Sequence, residues 1–155
     1  MGKTAYVAFG SNIGDARGNI SDAVRALENV PGIRVEKLSE FYETKPWGYE
    51  AQQNFVNACA KLDVDINPFS LLGVCLGAEA GLGRERLIKN GPRIIDIDLL
   101  IYEKETIDTA ELRLPHPRMY ERDFVLIPLR DVADDVLKQE IDGKLKNLKE
   151  FYVLK

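Results

Sequence analysis

Two aspartates separated by one residue, Asp96 and Asp98, interrupt the apolar run Ile94-Ile95-Asp96-Ile97-Asp98-Leu99-Leu100-Ile101. Side chains alternate between faces along a strand, so both carboxylates project the same way, roughly 7 Å apart. Carboxylates placed like this can converge on hard divalent cations. Oxygen donors favour magnesium, which keeps waters and takes substrate phosphates as further ligands. A pair of such ions ~3.5–4 Å apart would clamp both sides of a displacement at phosphorus. A D-x-D on a sheet face is also common as two solvated carboxylates, so the neighbours must decide. Arg93 stands three residues before Asp96, behind Gly91-Pro92, and the preceding glycine-punctuated loop adds Arg84, Arg86 and Lys89. Phosphoryl transfer needs this mixture: carboxylates for the metal and cations for the phosphate oxygens.

A second group of residues could hold an acceptor. Trp47 and Phe55 are stacking platforms for a flat heterocycle. Asn57 offers both a donor and an acceptor to the edge of a ring. Trp47 could instead pack its loop onto the core. The only histidine, His116, lies in Leu114-Pro115-His116-Pro117-Arg118, between prolines. It is either a ligand to a phosphate or ribose or a surface turn residue. Arg113, Arg118 and Arg122 could extend an anion site, with at least one of them a plain surface charge. Gly10-Ser11-Asn12 resembles a phosphate-cradling turn, but it lacks the lysine of a P-loop and does not fit GxGxxG. It reads mainly as a strand-to-helix turn bordering the pocket.

The elements that must position these residues follow from hydrophobic periodicity. Residues 4–9 read as a strand, and Ile20, Ala23, Val24, Leu27 and Val30 recur at helical spacing until Pro31-Gly32. Residues 33–42 read as a second, imperfectly alternating strand, and residues 44–49 as a loop. In residues 55–64, Val56, Ala58, Ala60, Leu62 and Val64 form one face, and Phe55, Asn57, Cys59, Lys61 and Asp63 the other. Asn67-Pro68 starts a helix, with Pro at its first position; Leu71, Leu72, Cys75, Ala78 and Leu82 make its buried stripe. In residues 94–102, Ile95, Ile97, Leu99 and Ile101 form the apolar face. Ile94, Asp96, Asp98, Leu100 and Tyr102 form the other. Residues 112–116 are short and extended. Residues 122–132 read as a helix interrupted near Pro128, and a small amphipathic helix is expected around Leu145, Leu148 and Phe151. The order strand, helix, strand, strand, helix, strand predicts an α+β, ferredoxin-like sandwich: a mainly antiparallel sheet with helices on one face and the active site on the other. Phe55, Asn57, Asp96 and Asp98 then look into the same space.

The 155 residues fit one domain, 1–155, able to bury about 68–70% of its unfolded surface. A net charge of −4 disfavours nucleic acid as a partner. No apolar run approaches the ~20 residues of a membrane span. Cys59 and Cys75 form no CxxC pair and read as reduced, buried thiols of a cytoplasmic protein. No long apolar edge demands a dimer, so a monomer is expected.

Taken together, these residues resemble the 6-hydroxymethyl-7,8-dihydropterin pyrophosphokinases of folate biosynthesis. The similarity is densest in Lys89-Asn90-Gly91-Pro92-Arg93-Ile94-Ile95-Asp96-Ile97-Asp98-Leu99-Leu100. It also runs through Phe9-Gly10-Ser11-Asn12, Tyr42-Glu43-Thr44-Lys45-Pro46-Trp47-Gly48, Phe55-Val56-Asn57-Ala58, Leu114-Pro115-His116-Pro117-Arg118-Met119 and Arg122-Asp123-Phe124-Val125. The resemblance implies transfer of diphosphate from ATP to the pterin hydroxymethyl group, leaving AMP. It implies two Mg2+ ions on Asp96 and Asp98, with Arg84 and Arg93 neutralising charge on the transferred group. Thr44, Trp47, Phe55, Asn57 and Phe124 would line the pterin pocket, while Arg86, Arg113, His116 and Arg122 contact nucleotide. The 83–92 loop would close as a lid. The chain departs from some members at Asn90, where they carry an aromatic residue, and at Phe55, where they carry Tyr. Rival readings are a palm-like nucleotidyl transferase, releasing pyrophosphate, and a ferredoxin-like regulatory domain that binds a ligand without turnover.

Overall fold

A computed structural model of the chain describes residues 2–46, 51–83 and 94–154. Arg84, Arg86 and Asn90 of the expected 83–92 lid, together with Arg93 and the stacking candidate Trp47, lie outside the described residues.

The elements run β1 (Lys3–Ser11), α1 (Ala16–Glu28), β2 (Ile33–Leu38), β3 (Tyr42–Thr44), β4 (Phe55–Val64), α2 (Pro68–Gly81), β5 (Asp96–Tyr102), β6 (Ile107–Asp108), β7 (Arg113–Leu114), α3 (Asp123–Val132) and α4 (Asp135–Lys146). The main sheet has the order β2-β4-β1-β5, with β3 also on β4, and every pairing is antiparallel. This is the ferredoxin-like arrangement that the alternation predicts. Helices α1 and α2 start at side-chain caps: Asp15 accepts from Gly18 N, and Asn67 from Ser70 N. Their apolar stripes, including Ile20, Leu27, Leu71 and Cys75, close on Val7, Phe9, Ala58, Ala60, Leu62, Ile97 and Leu99.

The opposite face of the sheet is divided. At one end α3 and α4 cover it, packing Val125, Leu126, Leu129, Val132 and Ile141 over Tyr6, Cys59 and Leu100. The other end stays open and forms the site.

Several local expectations change. Gly10 and Ser11 continue β1 instead of turning. The second strand breaks at residues 39–41, where Ser39 Oγ accepts from Cys59 N and Ser39 N donates to Cys59 O. Thr44 belongs to β3 and not to the following loop. In β5 the alternation holds through Leu99 and then fails. Val7 pairs with Leu99 but Tyr6 with Ile101, so Leu100 is an extra, bulged residue. Beyond it the faces swap: Ile101 packs with the α3 side and Tyr102 with the α1/α2 core, its hydroxyl donating to Ile66 O at 2.7 Å. Helix α3 runs unbroken across Pro128. That proline removes one N–H from the ladder, and it is buried on the same helix as Val125, Leu126, Leu129 and Val132. The last helix lies earlier than expected, at Asp135–Lys146, and Phe151 falls in an extended segment beyond it.

Candidate active site

The floor of the site follows from strand register. Gly10 on β1 faces Asn57 on β4 and Asp96 on β5; Ala8 faces Cys59 and Asp98. Directly paired residues share a face, so Asn57, Gly10 and Asp96 form one row and Cys59, Ala8 and Asp98 the next. The middle strand contributes its two smallest side chains. Asn57 and Asp96 thus stand two strand spacings apart, roughly 9–10 Å, with open space between them. A Cβ on Gly10 would lie 3.0 Å from Asn57 Oδ1 and 4.0 Å from the Phe55 ring, so glycine keeps this floor low.

Above the floor is a cavity of about 600 Å³, a volume suited to small ligands. Of the residues expected there, Thr44, Phe55, Asn57, Asp96, Asp98, Arg113, His116, Arg122 and Phe124 all line it. At the acceptor end, Asn57 Nδ2 donates to the buried Thr44 Oγ1 at 2.7 Å. This fixes the amide and leaves its oxygen for another donor. Phe124 enters from the first turn of α3, with the Arg122 guanidinium 5.7 Å from its ring centroid.

At the metal end, Asp96 and Asp98 are half-buried. Among the described residues no group of three or more His, Cys, Asp or Glu side chains could hold a metal. Two carboxylates with no protein cage fit magnesium, which completes its shell with waters and substrate oxygens. His116 comes near enough to feel the Asp98 charge because its loop docks on the strand edge, with His116 N donating to Leu100 O at 2.8 Å. Leu100 is the bulged residue, so the irregularity in β5 receives the histidine loop. Burial holds the imidazole pKa below its usual value near 6.5. The Asp98 carboxylate opposes that shift, and Arg122 and Arg118 reinforce it. The Nδ1 atom accepts from Arg118 N at 3.2 Å, so a neutral ring carries its proton on Nε2, as a donor. Arg113 pairs with Asp108 at 3.3 Å, and both are well exposed. Such a pair is weak and exchanges readily for a ligand anion.

Sequence reasoning missed Glu79. It is buried on α2, and its carboxylate accepts from Ile97 N at 2.6 Å, between the two aspartates. Its signal was present: Leu71, Cys75 and Glu79 recur every four residues, which places a carboxylate on a buried stripe. Lys45, Leu72 and Leu76 also line the cavity.

A ferredoxin-like sheet with paired carboxylates, arginines and an aromatic pocket on one face has the parts of a two-substrate transfer enzyme. The family described as 7,8-dihydro-6-hydroxymethylpterin-pyrophosphokinase matches residues 6–134, and the chain belongs to it. The chain is 44% identical over 139 residues to a 2-amino-4-hydroxy-6-hydroxymethyldihydropteridine pyrophosphokinase of Bacillus subtilis, covering 90% of this chain and 83% of that protein. It is 47% identical over 133 residues to the protein of the same name from Methylorubrum extorquens, covering 86% and 84%. In fold it is similar to a crystal structure of an HPPK-DHPS in complex with substrates, with a TM-score of 0.70 at 12% identity. That match covers 93% of this chain and 43% of the other.

Proposed function

We propose that this chain transfers diphosphate from MgATP to the hydroxymethyl group of 6-hydroxymethyl-7,8-dihydropterin in tetrahydrofolate biosynthesis. The hydroxymethyl oxygen attacks the β-phosphorus. A new O–P bond forms and the bond from the β-phosphorus to the α,β-bridging oxygen breaks. AMP leaves with that electron pair, and the hydroxyl proton goes to solvent. The row Asn57–Gly10–Asp96 carries the reading, because one floor holds an edge reader for a heterocycle and a ligand for the metal of a triphosphate.

Phe55 and Phe124 offer faces for the pterin ring, and Thr44 holds Asn57 in position to read its edge. The family resemblance adds Trp47 as a further pterin-binding residue. Asp96 and Asp98 would hold two Mg2+ ions, which supply charge neutralisation for the triphosphate and lower the acceptor alcohol's pKa. His116 donates from Nε2 to a phosphate or ribose oxygen. Arg113 and Arg122 neutralise the nucleotide. The family resemblance assigns Arg84 and Arg93 to neutralising the transferred group and Arg86 to the nucleotide, in a reaction where charge stabilisation and alignment do most of the catalysis. Residues 1–155 act as one domain of a cytoplasmic monomer without membrane or nucleic-acid partners; sedimentation at working concentration checks the monomer.

Product analysis tests the central claim. With MgATP and the reduced pterin, the nucleotide product is AMP; ADP would refute diphosphate transfer, and pyrophosphate would point to nucleotidyl transfer. Asp98→Ala lowers kcat by about 100-fold or more, the range for removing one preorganised electrostatic partner. An Asp98→Ala enzyme with full activity would remove the metal role.

A further inference from the structure

Residues 151–154, beyond α4, run along the outer edge of β3. Thr44 forms an antiparallel bridge with Val153. Lys45 N donates to Tyr152 O at 2.8 Å, and Leu154 N donates to Glu43 O at 2.9 Å. The strand that ends in Thr44 is therefore held on both sides, by β4 within the sheet and by this segment outside it. The same segment is tied to α3. Asp123 is fully buried, and its Oδ2 accepts from both Tyr152 N, at 2.8 Å, and Val153 N, at 2.9 Å. Its Oδ1 has no hydrogen-bond partner among the described residues. A buried carboxylate satisfied on one oxygen by two amides of one segment is costly unless that segment stays in place. The neighbouring Phe124 meets the Tyr152 ring edge-on, with centroids 5.9 Å apart and planes at 90°. The Lys45 ammonium lies 5.2 Å from the Tyr152 ring centroid.

These contacts join the two sides of the acceptor pocket. Thr44 fixes Asn57 on the sheet side, and Phe124 forms the helix side. We propose that Asp123 and Tyr152 form a clamp, closed by residues 151–154, that sets the spacing of the pocket's two walls and so tunes affinity for the flat acceptor. This rests on the reading of that pocket as the pterin site. Asp123 and Tyr152 are positioning residues, acting through Phe124 and Thr44. Spacing matters because a radial gap of about 0.5–1 Å forfeits a quarter to a half of each dispersion contact.

The test measures binding of two ligands to the full chain by calorimetry: 6-hydroxymethylpterin, and Mg2+ with a non-hydrolysable ATP analogue. Asp123→Ala and Tyr152→Leu each weaken the pterin by about 10-fold and leave the nucleotide within about 2-fold. Asp123→Asn stays within about 3-fold of the parent for both ligands, because its amide oxygen still accepts from the two N–H groups. Tyr152→Leu keeps every backbone bond and decides the matter if Asp123→Ala fails to fold. Pterin affinity unchanged in Tyr152→Leu, or equal weakening of both ligands, overturns the clamp. Phe55→Ala separates this from failure of the pocket reading. If it leaves pterin binding to the otherwise unaltered chain intact, the pocket assignment falls and the clamp with it.

Discussion

A methyl group on Gly10 would meet Asn57 Oδ1 at 3.0 Å, close enough that the amide must move or the pocket floor must rise. Gly10→Ala is therefore expected to weaken acceptor binding by about 10-fold, within the 1–3 kcal/mol range of overpacking. Nucleotide affinity changes little, and separate KM values for the two substrates check this. Glu79 acts at the other end of the floor. Glu79→Ala strands the buried Ile97 N–H and should cost about 1–3 kcal/mol in urea unfolding, while Glu79→Gln keeps an acceptor and restores most of it. Position alone made Asp96, Asp98, Phe55 and Asn57 legible in the sequence, because alternation needs no tertiary contact. Glu79 was harder to see, since a lone carboxylate in a helix reads as surface until the facing strand edge is known.

At the scale of elements, α3 is held to the sheet by apolar packing and by polar contacts at defined points. One is Tyr42 on β3, whose hydroxyl donates to Asp131 at 2.8 Å. Burial, and then this bond to a carboxylate, raise the Tyr42 pKa to about 12. The phenol is neutral in the folded state where it would ionise in the unfolded one. Its contribution is complete below about pH 10 and is lost as pH rises from there through about 12. Tyr42→Phe should lower stability by about 1 kcal/mol at pH 8 and remove that share of the alkaline loss. Denaturant titrations of both proteins across the alkaline range measure the difference. The β5 bulge belongs to this scale too. Simple alternation misassigns Ile101 and Tyr102 because an extra residue reverses the pleat, and no residue type in Leu99-Leu100-Ile101 announces it.

Ligand binding reads the assembled molecule. If Asp96 and Asp98 hold magnesium for ATP, saturating MgATP at 100 times its Kd adds about 2.7 kcal/mol of stability. For a domain of this size that is roughly 5–11 °C in Tm. ATP with a chelator, or MgATP with an Asp96→Asn/Asp98→Asn variant, should give a much smaller rise in a thermal melt. An equal rise in all three would refute a metal role for the pair.

The sequence by itself determined the element order, the apolar face of β4 and that of β5 up to Leu99, and the shared side of Phe55, Asn57, Asp96 and Asp98. These follow from periods of 2 and 3.6 residues, which are local properties of the chain. Only the tertiary structure decided how wide the site is and what closes it. The antiparallel register set Asn57 and Asp96 on either side of Gly10, a pairing between residues 39 positions apart in sequence. Packing of α3 and α4 over half of the open face turned an exposed sheet into a pocket. The bond network around Asp123 brought residues 151–154 back to Thr44. Such pairings depend on which distant backbone groups are left unsatisfied once the layers have docked, and no local pattern encodes that.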